Sequence, residues 1–309
     1  MSMVQYGLWP NCTNNCDFCL LEDRVYKTEE ERLQILEFIK HNIQIVDWKG
    51  KFSDGISLLG GEVFYTESEK VKDSFLDLMS LIIDVVFKKN GAKILSIVSN
   101  GIYDPNILLI PTLNMLKQKN MIDRFNLNFS YDIKYRFHSE KSRLQAISNI
   151  NMVYDKYGIK PCVQTCLTQY LIDSFFHDDV NLFDIKEKEF PNSILTFLYP
   201  HKIKTGKVLN DFFFTRSSLL KFVSWMKKNN HEVELESFIQ SVINSAQFKY
   251  TGLWDRRGIQ NWRSNSVDKI EQQPTLERKQ ILTECGHSQL YRCYADSDKC
   301  MLCDLLKVI

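Results

Sequence analysis

The chain has 309 residues, of which 44% are hydrophobic and 25% charged; this is an ordinary globular composition and excludes a disordered chain. Its 39 basic and 38 acidic residues give a formal net charge of +1, so no overall basic field attracts nucleic acid, and only a local patch is left for such a partner. The first ten residues lack the features of a signal peptide, and the most apolar segment, 75–87, is too short and too charged to span a bilayer. We therefore predict a soluble, cytoplasmic protein with no membrane partner.

Strand-like and helix-like segments alternate along the first 230 residues. Short apolar runs predict six strands, at 4–9, 56–59, 93–98, 124–131, 159–167 and 193–199. Helical spacing of apolar residues predicts helices at 28–46, 68–89, 105–119, 140–157, 170–188 and 215–228. Strands that alternate with helices imply parallel βαβ units with right-handed crossovers, so we predict an α/β protein with a partial (β/α)6 TIM-like barrel. Ligands should then lie at the carboxyl ends of the strands.

The alternation of strands and helices stops after about residue 230. One more helix is predicted over 232–249, followed by a polar and aromatic stretch and a cysteine-rich tail. We predict two domains, a barrel over residues 1–230 and a small cysteine-rich C-terminal domain over 231–309.

Nine cysteines are present, and in a reducing cytosol they are more often metal ligands, catalytic thiols or core residues than disulfides. Cys12, Cys16 and Cys19 have the spacing C-x3-C-x2-C, directly after the first predicted strand. Three thiolates on one short loop can hold three irons of a [4Fe–4S] cluster and leave the fourth iron open. Zinc would need a fourth ligand, and this loop offers none.

With the aromatic Phe18 before the last cysteine, and within a βα series, this loop resembles that of radical SAM enzymes. The resemblance covers about residues 4–210. It implies that the open iron chelates S-adenosylmethionine (SAM), and that an electron from the cluster cleaves SAM to methionine and a 5′-deoxyadenosyl radical. The radical would abstract hydrogen from a substrate. A protein electron donor such as flavodoxin or ferredoxin is also implied.

Two segments resemble the SAM-binding parts of this superfamily. Gly60, Gly61 and Glu62 end the second strand and resemble the Gly-Gly-Glu motif, which implies a contact between Glu62 and the SAM ammonium. Ser99 and Asn100 follow the third strand and resemble the common Thr-Asn-Gly ending. A plain turn between strand and helix is an equal interpretation of this second segment.

The fourth and fifth strands carry further candidates. Ser130 and Asp132 lie on one side of the strand end and resemble a Ser-x-Asp segment that would contact the SAM ribose or carboxylate. Asp132 could instead cap the next helix. Cys162 and Cys166 share one face of the fifth strand. Cys166 is a candidate radical relay or hydrogen donor, and the alternative is that both are small core residues.

Four cysteines lie within the last 25 residues: Cys285, Cys293, Cys300 and Cys303. Their order resembles the shortened SPASM or twitch extensions of radical SAM enzymes, which implies an auxiliary [4Fe–4S] cluster. A four-cysteine zinc site is the alternative. Four thiolates would close every iron of a cluster, which favours electron transfer or structure over binding of a substrate.

Because such extensions are common in peptide-modifying members, we expect the substrate to be a peptide or protein. The alternatives are radical SAM modification of a nucleotide, an RNA or a small metabolite, and a non-catalytic zinc-binding protein. The sequence leaves the reaction outcome open.

Overall fold

A computed structural model describes residues 3–17, 19, 26–46, 48–49, 54–177, 181–198 and 214–238. Its six strands form one parallel sheet in which every neighbour is the next strand along the chain. The strands are β1 (Met3–Gly7), β2 (Gly55–Leu59), β3 (Ile94–Ser99), β4 (Phe125–Ser130), β5 (Cys162–Cys166) and β6 (Ile194–Leu198). The predicted α/β fold with six parallel strands is confirmed. A strand order that never reverses brings all six carboxyl ends to one edge of the sheet.

Helices connect the strands. They are α1 (Glu29–Ile45), α2 (Glu69–Leu81), α3 (Leu109–Gln118), α4 (Glu140–Tyr157), α5 (Gln169–His177), α6 (Leu182–Glu189) and α7 (Arg216–Lys228). A π-helical segment, Ile82–Lys89, continues α2 to the end that the sequence predicts. Residues 232–238 are also helical. No helix in the described part of the chain is long and apolar enough to cross a membrane.

The helix ends follow local chemistry. Thr28 begins α1 with a capping box, in which its hydroxyl accepts from the Glu31 amide at 3.2 Å and the Glu31 carboxylate accepts from the Thr28 amide at 2.9 Å. The Ser139 hydroxyl caps α4 by accepting from the Ser142 amide at 3.2 Å, and Gly158 ends that helix in the left-handed conformation, at φ 71°.

Two predicted helices differ from the structure. The predicted helix at 105–119 begins later, at Leu109, because a hydrogen-bonded turn precedes it, with the Ile107 amide donating to Asp104 at 3.3 Å. The predicted helix at 170–188 is two helices, α5 and α6. The chain passes from one compact unit to another between Leu182 and Phe183, so the two halves pack in different cores.

The described chain divides into two compact units. Among the described residues, the first comprises those from 3 to 164 and Phe183–Leu195, and the second comprises Thr165–Leu182, 196–198 and 214–238. The first unit buries apolar side chains from both strands and helices, among them Leu36, Ile56, Phe75, Leu95 and Leu127. In the second unit Phe222 and Trp225 stack with their ring centres 6.2 Å apart, and Phe175 lies 5.1 Å from both. The predicted domain boundary near residue 230 stays a prediction, because residues 239–309 lie outside the described chain.

Candidate functional site at the carboxyl edge of the sheet

The three N-terminal cysteines lie just beyond β1, where the chain leaves the carboxyl edge of the sheet. Cys12, Cys16 and Cys19 are all half-buried. The Cys19 amide donates to the Cys16 carbonyl at 3.2 Å, which makes a turn between these two cysteines. Phe18 lies outside the described residues. Within the described ranges, no three His, Cys, Asp or Glu side chains are placed so that they could together hold one metal ion.

The Gly-Gly-Glu turn after β2 is hydrogen-bonded to the start of the cysteine loop, the segment 8–19 that follows β1. The Gly61 amide donates to the Trp9 carbonyl at 2.7 Å, and the Glu62 amide donates to the Asn11 carbonyl at 2.8 Å. The Trp9 indole donates back to the Glu62 carbonyl at 2.9 Å. These three bonds fix the residues that immediately precede Cys12 against the end of β2.

Both glycines are required by this close approach. A Cβ atom on Gly61 would lie 2.3 Å from the Pro10 carbonyl oxygen and 2.4 Å from that of Asn11. On Gly60 it would lie 2.7 Å from the Trp9 carbonyl oxygen. The sequence predicts that these glycines let backbone approach a ligand. In the structure, the close neighbour of each is the backbone of the cysteine loop.

Glu62 is completely buried, and hydrogen bonds from the protein reach both of its carboxylate oxygens. Oε1 accepts from the Phe64 amide at 3.0 Å, and Oε2 accepts from the Asn100 amide at 2.6 Å. The Ser99 hydroxyl lies 3.2 Å from Oε2. Burial raises the pKa of Glu62 to about 7, and these hydrogen bonds and the charge of Arg136 oppose the rise. Glu62 therefore joins the turn after β2 to the turn after β3.

The turn after β3 places an amide against the cysteine loop. The Asn100 side chain is 4% exposed, and its Nδ2 lies 3.2 Å from Cys12 Sγ and 3.3 Å from Thr13 Oγ1. Its Oδ1 accepts from the Ile102 amide at 2.6 Å. Ser99 is buried beneath it and accepts from the Gly101 amide at 3.0 Å. Ser99 and Asn100 thus belong to one hydrogen-bonded network with Glu62 and Cys12, which we call the Asn100 corner.

The segment after β4 holds the other side of the cysteine loop. The Tyr135 carbonyl accepts from the Asp17 amide at 3.0 Å, and the Arg136 carbonyl accepts from the Asn14 side chain at 3.0 Å. The same Asn14 Nδ2 lies 3.2 Å from Cys16 Sγ. The sulfurs of Cys12 and Cys16 are therefore each contacted by a side-chain amide.

Asp132 is buried and stabilises this segment from within. Its Oδ1 accepts from the Tyr135 amide at 2.6 Å and from the Lys134 amide at 3.1 Å. Burial raises its pKa to about 6, and the two amides and Arg136 oppose that rise. Ser139 caps helix α4, so the alternative prediction that Asp132 caps the next helix is wrong. Asp132 instead accepts hydrogen bonds within the turn that precedes Ser139.

The remaining candidates lie on the strands. Ser130 is half-buried at the end of β4. Cys162 and Cys166 are half-buried on one face of β5, with Val163 and Thr165 buried on the other, as the alternation predicts. Cys166 belongs to the second unit. Cys285, Cys293, Cys300 and Cys303 lie outside the described residues.

The chemistry of the cysteine loop fits an iron–sulfur cluster. It offers three accessible thiols on a short loop, and N–H groups point at the sulfurs of Cys12 and Cys16. Such N–H···S bonds stabilise cysteine sulfur that carries negative charge, as it does when bound to iron. Sequence reasoning missed Asn14 and Arg136. The only signal for Asn14 is its place inside the cysteine motif, and Arg136 contributes through its backbone carbonyl, which no side-chain pattern reveals.

No protein-family model matches the chain, and no curated protein matches it. Solved structures of a radical SAM enzyme, an anaerobic sulfatase-maturating enzyme, are similar to it. "Native anSMEcpe with bound AdoMet" has a TM-score of 0.49 and 16% identity over 76% of this chain. "Native anSMEcpe with bound AdoMet and Cp18Cys peptide" has a TM-score of 0.48 and 17% identity over 79%. The chain spans 62% and 61% of the length of these two structures. Identities this low concern the fold alone and assign no activity to this chain.

Proposed function

We propose that the chain is a radical SAM enzyme whose cluster is held by Cys12, Cys16 and Cys19. One observation carries the proposal: the C-x3-C-x2-C loop lies at the carboxyl edge of a parallel sheet and is hydrogen-bonded to the Gly-Gly-Glu turn after β2 and to Asn100 after β3. A chance run of cysteines would not require the two glycines that this contact requires. The loop, the glycine turn and the Asn100 corner support one another as parts of one site.

The residues of this site have separable roles. The three thiolates would hold a [4Fe–4S] cluster, which when bound supplies the electron that cleaves SAM to methionine and a 5′-deoxyadenosyl radical. Gly60 and Gly61 allow the cysteine loop to lie against β2. Glu62 fixes the position of Asn100. Contacts from Ser99, Asn100, Ser130 and Asp132 to SAM stay predictions, and so do cofactor contacts from Phe18, Gly60, Gly61 and Glu62.

Metal analysis tests the cluster directly. The chain is purified without oxygen, reconstituted with iron and sulfide, and compared with a variant in which Cys12, Cys16 and Cys19 are all Ala. About four irons should disappear with the three thiolates. The variant Cys162→Ala is a matched control, because it removes a half-buried cysteine from β5 and should keep all the iron. A wild-type chain that binds no iron would end the proposal.

The chemistry is tested separately. With dithionite and SAM, the reconstituted chain should form 5′-deoxyadenosine and methionine, and the triple variant should form neither. Iron that is bound without any cleavage of SAM would contradict the enzymatic role while leaving an iron–sulfur protein. The natural electron donor is proposed to be a flavodoxin or ferredoxin.

The four C-terminal cysteines are proposed to hold an auxiliary [4Fe–4S] cluster. The spacing of Cys285, Cys293, Cys300 and Cys303 supports this proposal through its resemblance to SPASM and twitch extensions. About eight irons in the wild-type chain and about four in the triple variant would agree with two clusters. Zinc that stays in the triple variant would point to the four-cysteine zinc site instead.

A peptide or protein substrate follows from the same resemblance. It is tested by measuring 5′-deoxyadenosine with a soluble protein digest, total tRNA and a nucleoside mixture as three separate probes. Peptide modification predicts that the digest alone accelerates product formation. Acceleration by tRNA that weakens with salt would favour an RNA substrate, and acceleration by the nucleosides would favour a small metabolite.

A further inference from the structure

Two side-chain amides lie against two of the cysteine sulfurs. Asn100 Nδ2 is 3.2 Å from Cys12 Sγ, and Asn14 Nδ2 is 3.2 Å from Cys16 Sγ. Both asparagines are buried, at 4% and 8% exposure. Asn14 lies inside the cysteine motif, two residues before Cys16, whereas Asn100 comes from the turn after β3 and is 88 residues from Cys12 along the chain. The contact between Asn100 and Cys12 is therefore a product of the fold.

The orientation of the Asn100 amide is decided by its other contact. An asparagine side chain has one acceptor end and one donor end. The Ile102 amide lies 2.6 Å from one end, and since a backbone N–H can only donate, that end must be Oδ1. The NH₂ end must then face Cys12 Sγ. Glu62 holds the whole turn in place, because its carboxylate accepts from the Asn100 amide at 2.6 Å.

The orientation of Asn14 is decided in the opposite way. Its side chain lies 3.0 Å from the Arg136 carbonyl oxygen, which can only accept, so that end must be the NH₂ group. The same nitrogen lies 3.2 Å from Cys16 Sγ. The Asn14 backbone amide also lies 3.4 Å from Cys12 Sγ. The Arg136 carbonyl after β4 thus orients the donor of Asn14, which belongs to the cysteine loop itself, and the turn after β3 supplies the other donor, Asn100.

We propose that Asn14 and Asn100 are positioning residues that raise the reduction potential of the cluster held by Cys12, Cys16 and Cys19. This inference rests on the proposed function. A reduced cluster carries one more negative charge than an oxidised cluster, so an N–H donor at a ligating sulfur stabilises the reduced form more. Without these donors, the cluster would be harder to reduce before it can pass an electron to SAM.

The test is a redox titration of the reconstituted protein, with the cluster followed by electron paramagnetic resonance. The signal of interest is identified as the one that changes when SAM is added. Asn100→Leu and Asn14→Leu each remove one donor at similar volume. We expect each variant to have a reduced-to-oxidised ratio about tenfold lower at a fixed potential, which is a shift of about 59 mV to more negative values for one electron.

Asn149→Leu is the matched control. The Asn149 side chain donates to the Gly101 carbonyl at 2.8 Å and to the Tyr103 carbonyl at 3.0 Å, so it supports the same turn as Asn100 without touching a sulfur. Its potential should stay within the error of the wild type. An equal shift in the control would overturn the inference, since loosening of the turn would then explain the effect.

A further variant tests the same contact in case Asn100→Leu does not assemble its cluster. Asn100→Asp keeps an oxygen for the Ile102 amide and replaces the donor at sulfur by an acceptor, so it should shift the potential further in the negative direction. An unchanged potential in Asn100→Asp with full iron content would also overturn the inference. A wild-type chain without any SAM-responsive iron signal would instead remove the proposed function on which it rests.

Discussion

The turn after β2 and the turn after β4 each contain a buried carboxylate, and they use it differently. Glu62 accepts from the Phe64 amide on one oxygen and from the Asn100 amide on the other. It therefore joins two turns that are 38 residues apart along the chain. Asp132 accepts from the Lys134 and Tyr135 amides on a single oxygen, Oδ1, and closes one local turn.

The difference separates a local stabilising role from a long-range one. Removing Asp132 releases a turn that supports the cysteine loop through the Tyr135 and Arg136 carbonyls. Removing Glu62 releases the turn after β2. It also releases the backbone amide of Asn100, the residue whose side chain faces Cys12. A buried acidic group is thus part of the site at both turns, but only Glu62 connects two strands of the sheet.

Gly61→Ala should have the largest effect on this arrangement. The added Cβ would lie 2.3 Å from the Pro10 carbonyl oxygen, so the cysteine loop must move away from β2 and lose the bond from the Gly61 amide to Trp9. We expect a loss of about 4 kcal/mol in the free energy of unfolding, from overpacking and broken hydrogen bonds together, and a loss of iron. Urea unfolding and iron analysis measure the two effects.

Gly91→Ala is the control for this substitution. Gly91 has φ +72° and open space around the position of a Cβ, so Ala there is strained without a collision. It should cost about 1 kcal/mol and keep all the iron. Equal losses of iron in the two variants would mean that the contact between Gly61 and the cysteine loop is not what holds the loop.

The pH dependence of stability should reveal Glu62. Its pKa is raised by burial from 4.5 to about 7, so the folded state keeps this proton after the unfolded state has lost it. The free energy of unfolding should therefore fall as the pH rises from 4.5 to about 7, by on the order of 3 kcal/mol, and this contribution should be level above that range. Urea unfolding in steps of pH measures the slope.

Glu62→Gln should remove this slope above pH 6. Asp132, whose pKa is raised by burial from 3.8 to about 6, contributes a fall of the same sign at lower pH and should remain in that variant. A Glu62→Gln variant that keeps the full slope between pH 6 and 7 would mean that Glu62 is not the group that titrates there.

The sequence predicts the parts of this site that are local or that have a characteristic spacing. The Thr28 capping box, the six strands and the cysteine triplet all depend on residues close to one another along the chain. The sequence also predicts where the glycine turn after β2 lies, but it does not predict that this turn contacts the backbone before Cys12. No spacing rule reveals that Gly61 lies against Pro10, because that contact depends on the register between β1 and β2, in which Gly7 pairs with Leu59.

The roles of Glu62 and Asn100 were out of reach for the same reason. The Gly-Gly-Glu motif predicts a ligand contact for Glu62, but it does not reveal that the fold gives each oxygen of Glu62 a backbone amide. The helix predicted over 170–188 failed in a related way. Its apolar spacing is continuous, yet α5 buries Leu171, Ile172 and Phe175 in one unit, and α6 continues in the other.

The smallest effect should come from replacing each carboxylate by its amide at pH 5, where both carboxyls are mainly protonated and the substitution removes little charge. In Glu62→Gln the new NH₂ group must face one of the two backbone amides, so one buried N–H loses its acceptor, at a cost of about 2 kcal/mol. In Asp132→Asn the retained oxygen can still accept from both Lys134 and Tyr135, so the cost should be below about 0.5 kcal/mol. Urea unfolding at pH 5 measures both changes on the same scale. Similar costs for the two amides would show that the division of hydrogen bonds between two oxygens does not distinguish Glu62 from Asp132.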